Sequence, residues 1–163
     1  MEDGLDGSSY FIQFLLLIFL IGLNAFFASS EVALISLKPA TVRKLAETSA
    51  KGRKLAALLE NSGRFLATVQ VGVTFAGFMA SAFAADSFAR PVTEQLIDWG
   101  VNVNHSTLEA IVVILITSIL SYVSLVFGEL VPKQLALKYA EPISLNVAGI
   151  IDLFARITSP FVW

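Results

Sequence analysis

The sequence predicts an all-α integral membrane domain: three transmembrane helices, a cytoplasmic helical hairpin and a juxtamembrane interfacial helix. Three observations carry this reading. Of the 163 residues, 56% are hydrophobic and only 15% charged, against about 25% charged in a soluble domain. Three runs of 24, 21 and 19 residues, bounded by Asp6 and Glu31, Arg64 and Asp86, and Glu109 and Glu129, contain no charged residue. Each is close to the roughly 20 residues a helix needs to cross a hydrocarbon core, where only helices and closed barrels satisfy the backbone. Finally, the basic residues gather in one connecting loop. Three such runs in so short a chain leave too little polar sequence to cover them in water, which argues against buried helices of a soluble protein.

The first span is expected over about 10–36 and includes FIQFLLLIFLIGLNAFF. Glu2, Asp3 and Asp6 precede it without a basic residue. That is the reverse of a cleavable signal, so the span is expected to stay in the mature protein. Residues 38–63 are expected to form a hairpin of two short amphipathic helices. Pro39 suits a first helical turn, Val42, Leu45 and Ala46 make one apolar stripe, and Leu55, Leu58 and Leu59 make another. Gly52 lies between them, and Asn61, Ser62 and Gly63 end the second stretch. The second and third spans are expected over about 65–88 and 108–129. The last apolar stretch, about 142–163, carries Asp152 and Arg156 four residues apart, with Pro160 beyond them. Such a pair suits a helix lying in the interface better than one spanning it. The chain stops at Trp163 within apolar sequence, as a piece of a longer protein would.

Loop charge sets orientation. Lys38, Arg43, Lys44, Lys51, Arg53, Lys54 and Arg64 lie between the first and second spans, and only Arg90 between the second and third. The N-terminus is therefore expected outside a cell membrane and the C-terminal end in the cytoplasm, with Lys133 and Lys138 in agreement. The basic loop reads either as a topology determinant or as a surface for anionic lipid or a nucleotide. Asp86, Glu94, Asp98 and Glu109 on the outer side read either as solvated charges or as an acidic mouth for cations. With no cysteine and one histidine, thiolate and imidazole metal clusters are excluded. No nucleophile and base pair suggests an enzyme.

Polar residues within spans need a partner that lipid does not offer. On the second span Gln70, Thr74, Gly77 and Ser81 share one face, and on the third Thr117, Ser121, Ser124 and Gly128 repeat that spacing, with Glu129 next. On the first, Asn24, Ala28 and Glu31 share a face, with Ser29 and Ser30 beside it. Small and hydroxyl residues also serve helix packing. The acids Glu31 and Glu129 are harder to explain that way. Carboxylate, hydroxyl, amide and carbonyl oxygens are the ligands a hard cation such as Mg²⁺ prefers. Pro132 cannot donate to the Gly128 carbonyl, so a helix break is expected there, freeing that oxygen beside Glu129.

The segments NAFFASSEVALISL (24–37), FLATVQVGVTFAG (65–77) and FGELVPKQLALKYAE (127–141) resemble the membrane domain of the CorC and cyclin M (CNNM) family of magnesium transporters, also called haemolysin C-like. The resemblance covers nearly the whole chain. It implies a homodimer in the lipid bilayer, followed in longer members by cystathionine-β-synthase-type modules that bind ATP and by a small terminal domain, and no nucleic acid. It also implies Mg²⁺ export coupled to Na⁺ influx by alternating access. The ion site would be formed by a serine of the first helix, polar residues of the second, and Gly128 and Glu129. Many members have FFSGSE where this chain has Phe26 to Glu31, with Ala28 in place of serine. Many have GNTLVN where it has Gly72 to Gly77, so Val73 and Gly77 depart from the pattern. Ser29, Ser30, Glu31, Gln70, Thr74 and Ser124 would supply the remaining oxygens, or the ion would bind with more of its water retained. The alternative is a membrane anchor and cation sensor that regulates attached cytoplasmic modules without net transport.

Overall fold

A computed structural model describes residues 3–101 and 103–162, with side chains described over 10–101 and 103–158. Among the described residues it has no strand and is helical apart from short connections. Helix α1 spans Asp3–Ser36, α2 Pro39–Thr48, α3 Ala50–Glu60, α4 Ser62–Asp98 and α5 His105–Leu125. A π-helical segment, Val126–Leu130, leads without interruption into α6, Val131–Lys138, and α7 covers Ala140–Val162. Three stretches are long and apolar enough to cross a membrane: Tyr10–Ser36, Ser62–Asp98 and His105–Lys138.

The second of these outruns its uncharged stretch. α4 continues through Asp86, Arg90 and Pro91 to Asp98. Thr93 Oγ1 donates to the Ala89 carbonyl at 2.8 Å. Hydropathy registers where lipid ends, whereas helix formation does not depend on it and continues through the polar segment 86–98. α5 starts at a cap, with the Asn104 side chain accepting the Ser106 N–H at 3.1 Å.

Helix contact here depends on small residues. Gly72, Ala76, Ala80 and Ala84, each four residues apart, form the buried edge of α4. A Cβ at Gly72 would lie 2.6 Å from the Phe27 ring of α1, so that ring packs directly on the α4 backbone where only glycine leaves room. Leu17, Leu20, Ala80 and Ala84 continue this seam. The outward surfaces are the reverse, with Phe11, Phe19, Phe75, Phe78, Ile114, Ile119 and Tyr122 all exposed. An aliphatic and aromatic surface of that extent needs a lipid environment.

At the other end of the bundle Phe27, Leu34, Leu55, Phe65, Val69 and Ile151 form one core joining α1, the α2–α3 hairpin, α4 and α7. On α7 Val147, Ala148, Ile151 and Ala155 are buried against it, while the Asp152–Arg156 pair, 2.7 Å apart, lies on the outer side. The hairpin closes at Ser49, whose Oγ accepts the Gly52 N–H at 2.9 Å. Gly52 is buried, and a Cβ there would overlap the Leu45 carbonyl backbone. Backbone cannot yield as a side-chain tip can. Gly52→Ala is expected to prise α2 from α3 at a cost of about 1–3 kcal/mol. The change should appear as faster proteolysis within 38–63, with the spanning helices unchanged by circular dichroism.

Candidate functional site

An open cleft of about 310 Å³ lies between α1, α4 and the α5–π junction. α1 contributes Asn24, α4 contributes Thr74, Gly77 and Ser81, and the third span contributes Ser121, Ser124 and Glu129. Val73, Phe78 and Leu125 supply apolar wall. Asn24 is 5% exposed, and its Oδ1 has no hydrogen-bond partner. An orphaned buried amide oxygen costs about 1–3 kcal/mol, so an arrangement that retains one invites a ligand. Gly128 makes this position possible. A Cβ there would lie 3.0 Å from Asn24 Nδ2 and 3.4 Å from both the Ile21 carbonyl oxygen and Ser124 Oγ.

The π segment explains how Glu129 reaches the cleft. In a regular helix, at about 100° per residue, Glu129 would sit about 140° round from Ser124. A π turn absorbs roughly one extra residue, which cuts the offset to about 40° and returns the carboxylate to the face of Ser121 and Ser124. The break expected at Pro132 is therefore corrected: the chain stays helical through the proline, and the disturbance takes the form of a widened turn before it. The Val131 N–H reaches back to the Val126 carbonyl.

Beyond the cleft floor stands Lys133. Its Nζ lies 2.7 Å from Glu129 Oε1 and 3.8 Å from Glu31 Oε2. The two acids of the first and third spans are thus brought together around one ammonium. All three side chains are partly exposed, at 29% for Lys133, 22% for Glu31 and 32% for Glu129. The cluster carries a formal charge of −1. Among the described residues no three His, Cys, Asp or Glu side chains converge as a metal cage would require.

Comparison with known proteins decides the family. The model of the cyclin M transmembrane N-terminal domain matches residues 15–163. The chain belongs to that family. It is 32% identical over 157 residues to a UPF0053 protein of Synechocystis, covering 96% of this chain and 35% of the relative. It is 28% identical over 153 residues to UPF0053 protein YugS of Bacillus subtilis, covering 93% and 35%. It is 25% identical over 162 residues to the polyamine export protein of Haemophilus influenzae, covering 94% and 35%. The chain thus spans about a third of the length of these relatives. It is a multi-pass membrane domain, and one of its relatives is a named exporter.

Within this cyclin M domain the candidate residues divide. Glu129, Ser124 and Thr74 line the cleft, and Gly128 packs beneath it against Asn24. Glu31 joins Glu129 through Lys133. Ser29 and Ser30 turn back on their own helix, donating to the Phe26 carbonyl at 3.0 and 2.6 Å, and Ser30 is fully buried. Gln70 is exposed and lies outside the cleft walls. Asn24, Ser81 and Ser121 stood in the polar stripes of the sequence without being singled out as ligands. The signal for Asn24 was its amide, one of two in the first uncharged run with Gln13. The signal for Lys133 was its position four residues after Glu129.

Proposed function

We propose that this domain carries a divalent cation, Mg²⁺, out of the cytoplasm by alternating access, coupled to Na⁺ influx, as a homodimer with its N-terminus outside. In the full-length protein it would be followed by regulatory cytoplasmic modules. The observation that carries this reading is Asn24, whose buried Oδ1 lacks a hydrogen-bond partner, on the wall of a cleft whose other oxygens belong to the Glu129 carboxylate and the Ser124, Ser121, Ser81 and Thr74 hydroxyls. Every one is a hard oxygen ligand, the class Mg²⁺ selects. Two carboxylates sharing one lysine form a shallow charge well suited to a cargo that must leave again. The cleft has room for an ion that keeps part of its water, as Mg²⁺ commonly does.

A second reading has its own support. Lys133 already seats a primary alkylammonium on Glu129, and the wall includes Val73, Phe78 and Leu125, a combination that suits an aliphatic polyamine. A relative of this chain is named a polyamine export protein. Reconstituting the full-length protein in liposomes separates the two. The Mg²⁺ reading expects Na⁺-dependent flux reported by a Mg²⁺-sensitive dye, with spermidine a weak competitor. Labelled spermidine flux without Mg²⁺ flux would transfer the site to amines, and no flux of either would leave the anchor and sensor role. Asn24→Leu is expected to weaken Mg²⁺ affinity about tenfold or more, the scale of one hydrogen-bond-strength contact to a charge, while spermidine binding changes less.

A further inference from the structure

Away from the cleft, a second cavity of about 300 Å³ opens where α3, the start of α4 and α7 meet. That volume lies at the lower end of the range for small-molecule sites, about 300 Å³. Its polar groups are Asn61, Arg64, Asp152 and Arg156, set against the buried side chains of Leu58, Phe65 and Ala155.

The charge of this cavity does not cancel. Arg156 Nη2 pairs with Asp152 Oδ2 at 2.7 Å, whereas Arg64 has no acidic partner among the described residues. Arg64 Nη2 donates to the Ala155 carbonyl at 3.3 Å, which pins the guanidinium against α7 and leaves most of its five N–H donors free. Asn61 precedes the 37-residue helix α4 without capping it through its side chain, so its amide is also available. The start of that long helix adds a partial positive charge to the same spot. Glu60 faces a different cavity, on the α1 side of the hairpin.

Depth narrows the choice of ligand. Arg64 immediately precedes the uncharged run 65–85, and α7 lies with its apolar face inward and Asp152 and Arg156 outward. The cavity therefore stands at the level where hydrocarbon gives way to headgroups. We propose that it binds a phosphate group, held in a fork by Arg64 and Arg156 with Asn61 as a further donor, and that an anionic phospholipid of the surrounding leaflet supplies it. Bidentate guanidinium contacts are the usual grip on phosphate. This inference is independent of the transport reading, because it shares no residue with the cleft.

Native mass spectrometry of the detergent-purified chain tests it. Phosphatidylglycerol and phosphatidylcholine are added in parallel, and inorganic phosphate is titrated against each. Phosphatidylglycerol is expected to be retained about fivefold better than phosphatidylcholine, from the one net positive charge of the cavity at the membrane surface, and Arg64→Gln with Arg156→Gln should erase that preference. Arg156→Gln alone, at a side chain 72% exposed, keeps the test valid should loss of the Arg64 contact to α7 disturb folding. It should reduce the preference on a chain with unchanged gel-filtration behaviour. Lys44→Gln with Lys54→Gln, basic but outside the cavity, should leave it intact. Displacement of lipid by millimolar phosphate would keep the phosphate site but assign it to a soluble ligand. Equal retention of the two lipids without phosphate binding, or equal loss in the lysine control, overturns the proposal.

Discussion

Glu129→Ala is expected to abolish cation flux, by more than about a hundredfold, in a protein that still folds. Among the described residues Glu129 is the only carboxylate on the cleft wall, and losing it removes both the formal charge and two strong oxygen ligands. Hydrogen bonds and contacts to ions are individually worth about 1.5–3 kcal/mol. A bare charge left behind usually makes such a deletion destabilising, but here Lys133 keeps Glu31 as a partner, 3.8 Å away. Flux in proteoliposomes, read beside the gel-filtration profile and melting curve, separates lost transport from lost fold. Full flux from a folded Glu129→Ala protein would remove the cleft from the mechanism. Glu129→Gln sharpens the result, because it keeps an oxygen and the side chain's shape while discarding the charge.

Lys133→Met should have the opposite effect on binding. With the ammonium gone, Glu31 and Glu129 face each other without compensation, and the cluster moves from a formal charge of −1 to −2. Two unit charges 4 Å apart interact by about 4 kcal/mol at an effective dielectric of 20. At partly exposed groups solvent screens most of that. Mg²⁺ affinity is expected to tighten by about tenfold, and turnover to fall because the cargo is held more strongly on release. Isothermal titration on the purified protein reads the first effect and single-turnover flux the second. Unchanged affinity would mean that Lys133 only staples α1 to α6 and does not compete with cargo. Lys133→Arg, which keeps the charge, should restore affinity close to the parent value.

The spans are legible in the sequence because lipid imposes one demand on a long stretch of chain, and water-soluble helices rarely run for about 20 residues without a charge. Their inner faces are legible only in part. On α4 the stripe Gln70, Thr74, Gly77, Ser81 and the edge Gly72, Ala76, Ala80, Ala84 have nearly the same period, so periodicity alone does not say which side meets α1. The alanine edge takes the contact because backbone approach rewards the smallest side chains. The hydroxyl stripe is left to wall the cleft at Thr74 and Ser81, and Gln70 falls outside it. Ser29 and Ser30 carry the right oxygens, yet a helical serine can always satisfy itself on the carbonyl three or four residues back, and these two do. The meeting of Glu31 and Lys133 is a tertiary event with no local trace. At Pro132 the missing N–H is plain from the residue type, but not how the chain absorbs it.

That last point bears on movement. The π segment holds one residue more than an α-turn of the same length, and exchanging five-residue for four-residue hydrogen bonds would pass that surplus along the helix. Each such exchange would swing Glu129 by about 100°, out of the cleft or back, with little change in the length of the span. Val131, whose N–H now reaches Val126, is the amide whose hydrogen-exchange rate would report it, and a rate equal to that of its α-helical neighbours with and without cation would argue against it. Movement of that surplus past Glu129 would turn the proline and its widened turn into a rotary register, a way to present and withdraw a charge by sliding a defect along the backbone.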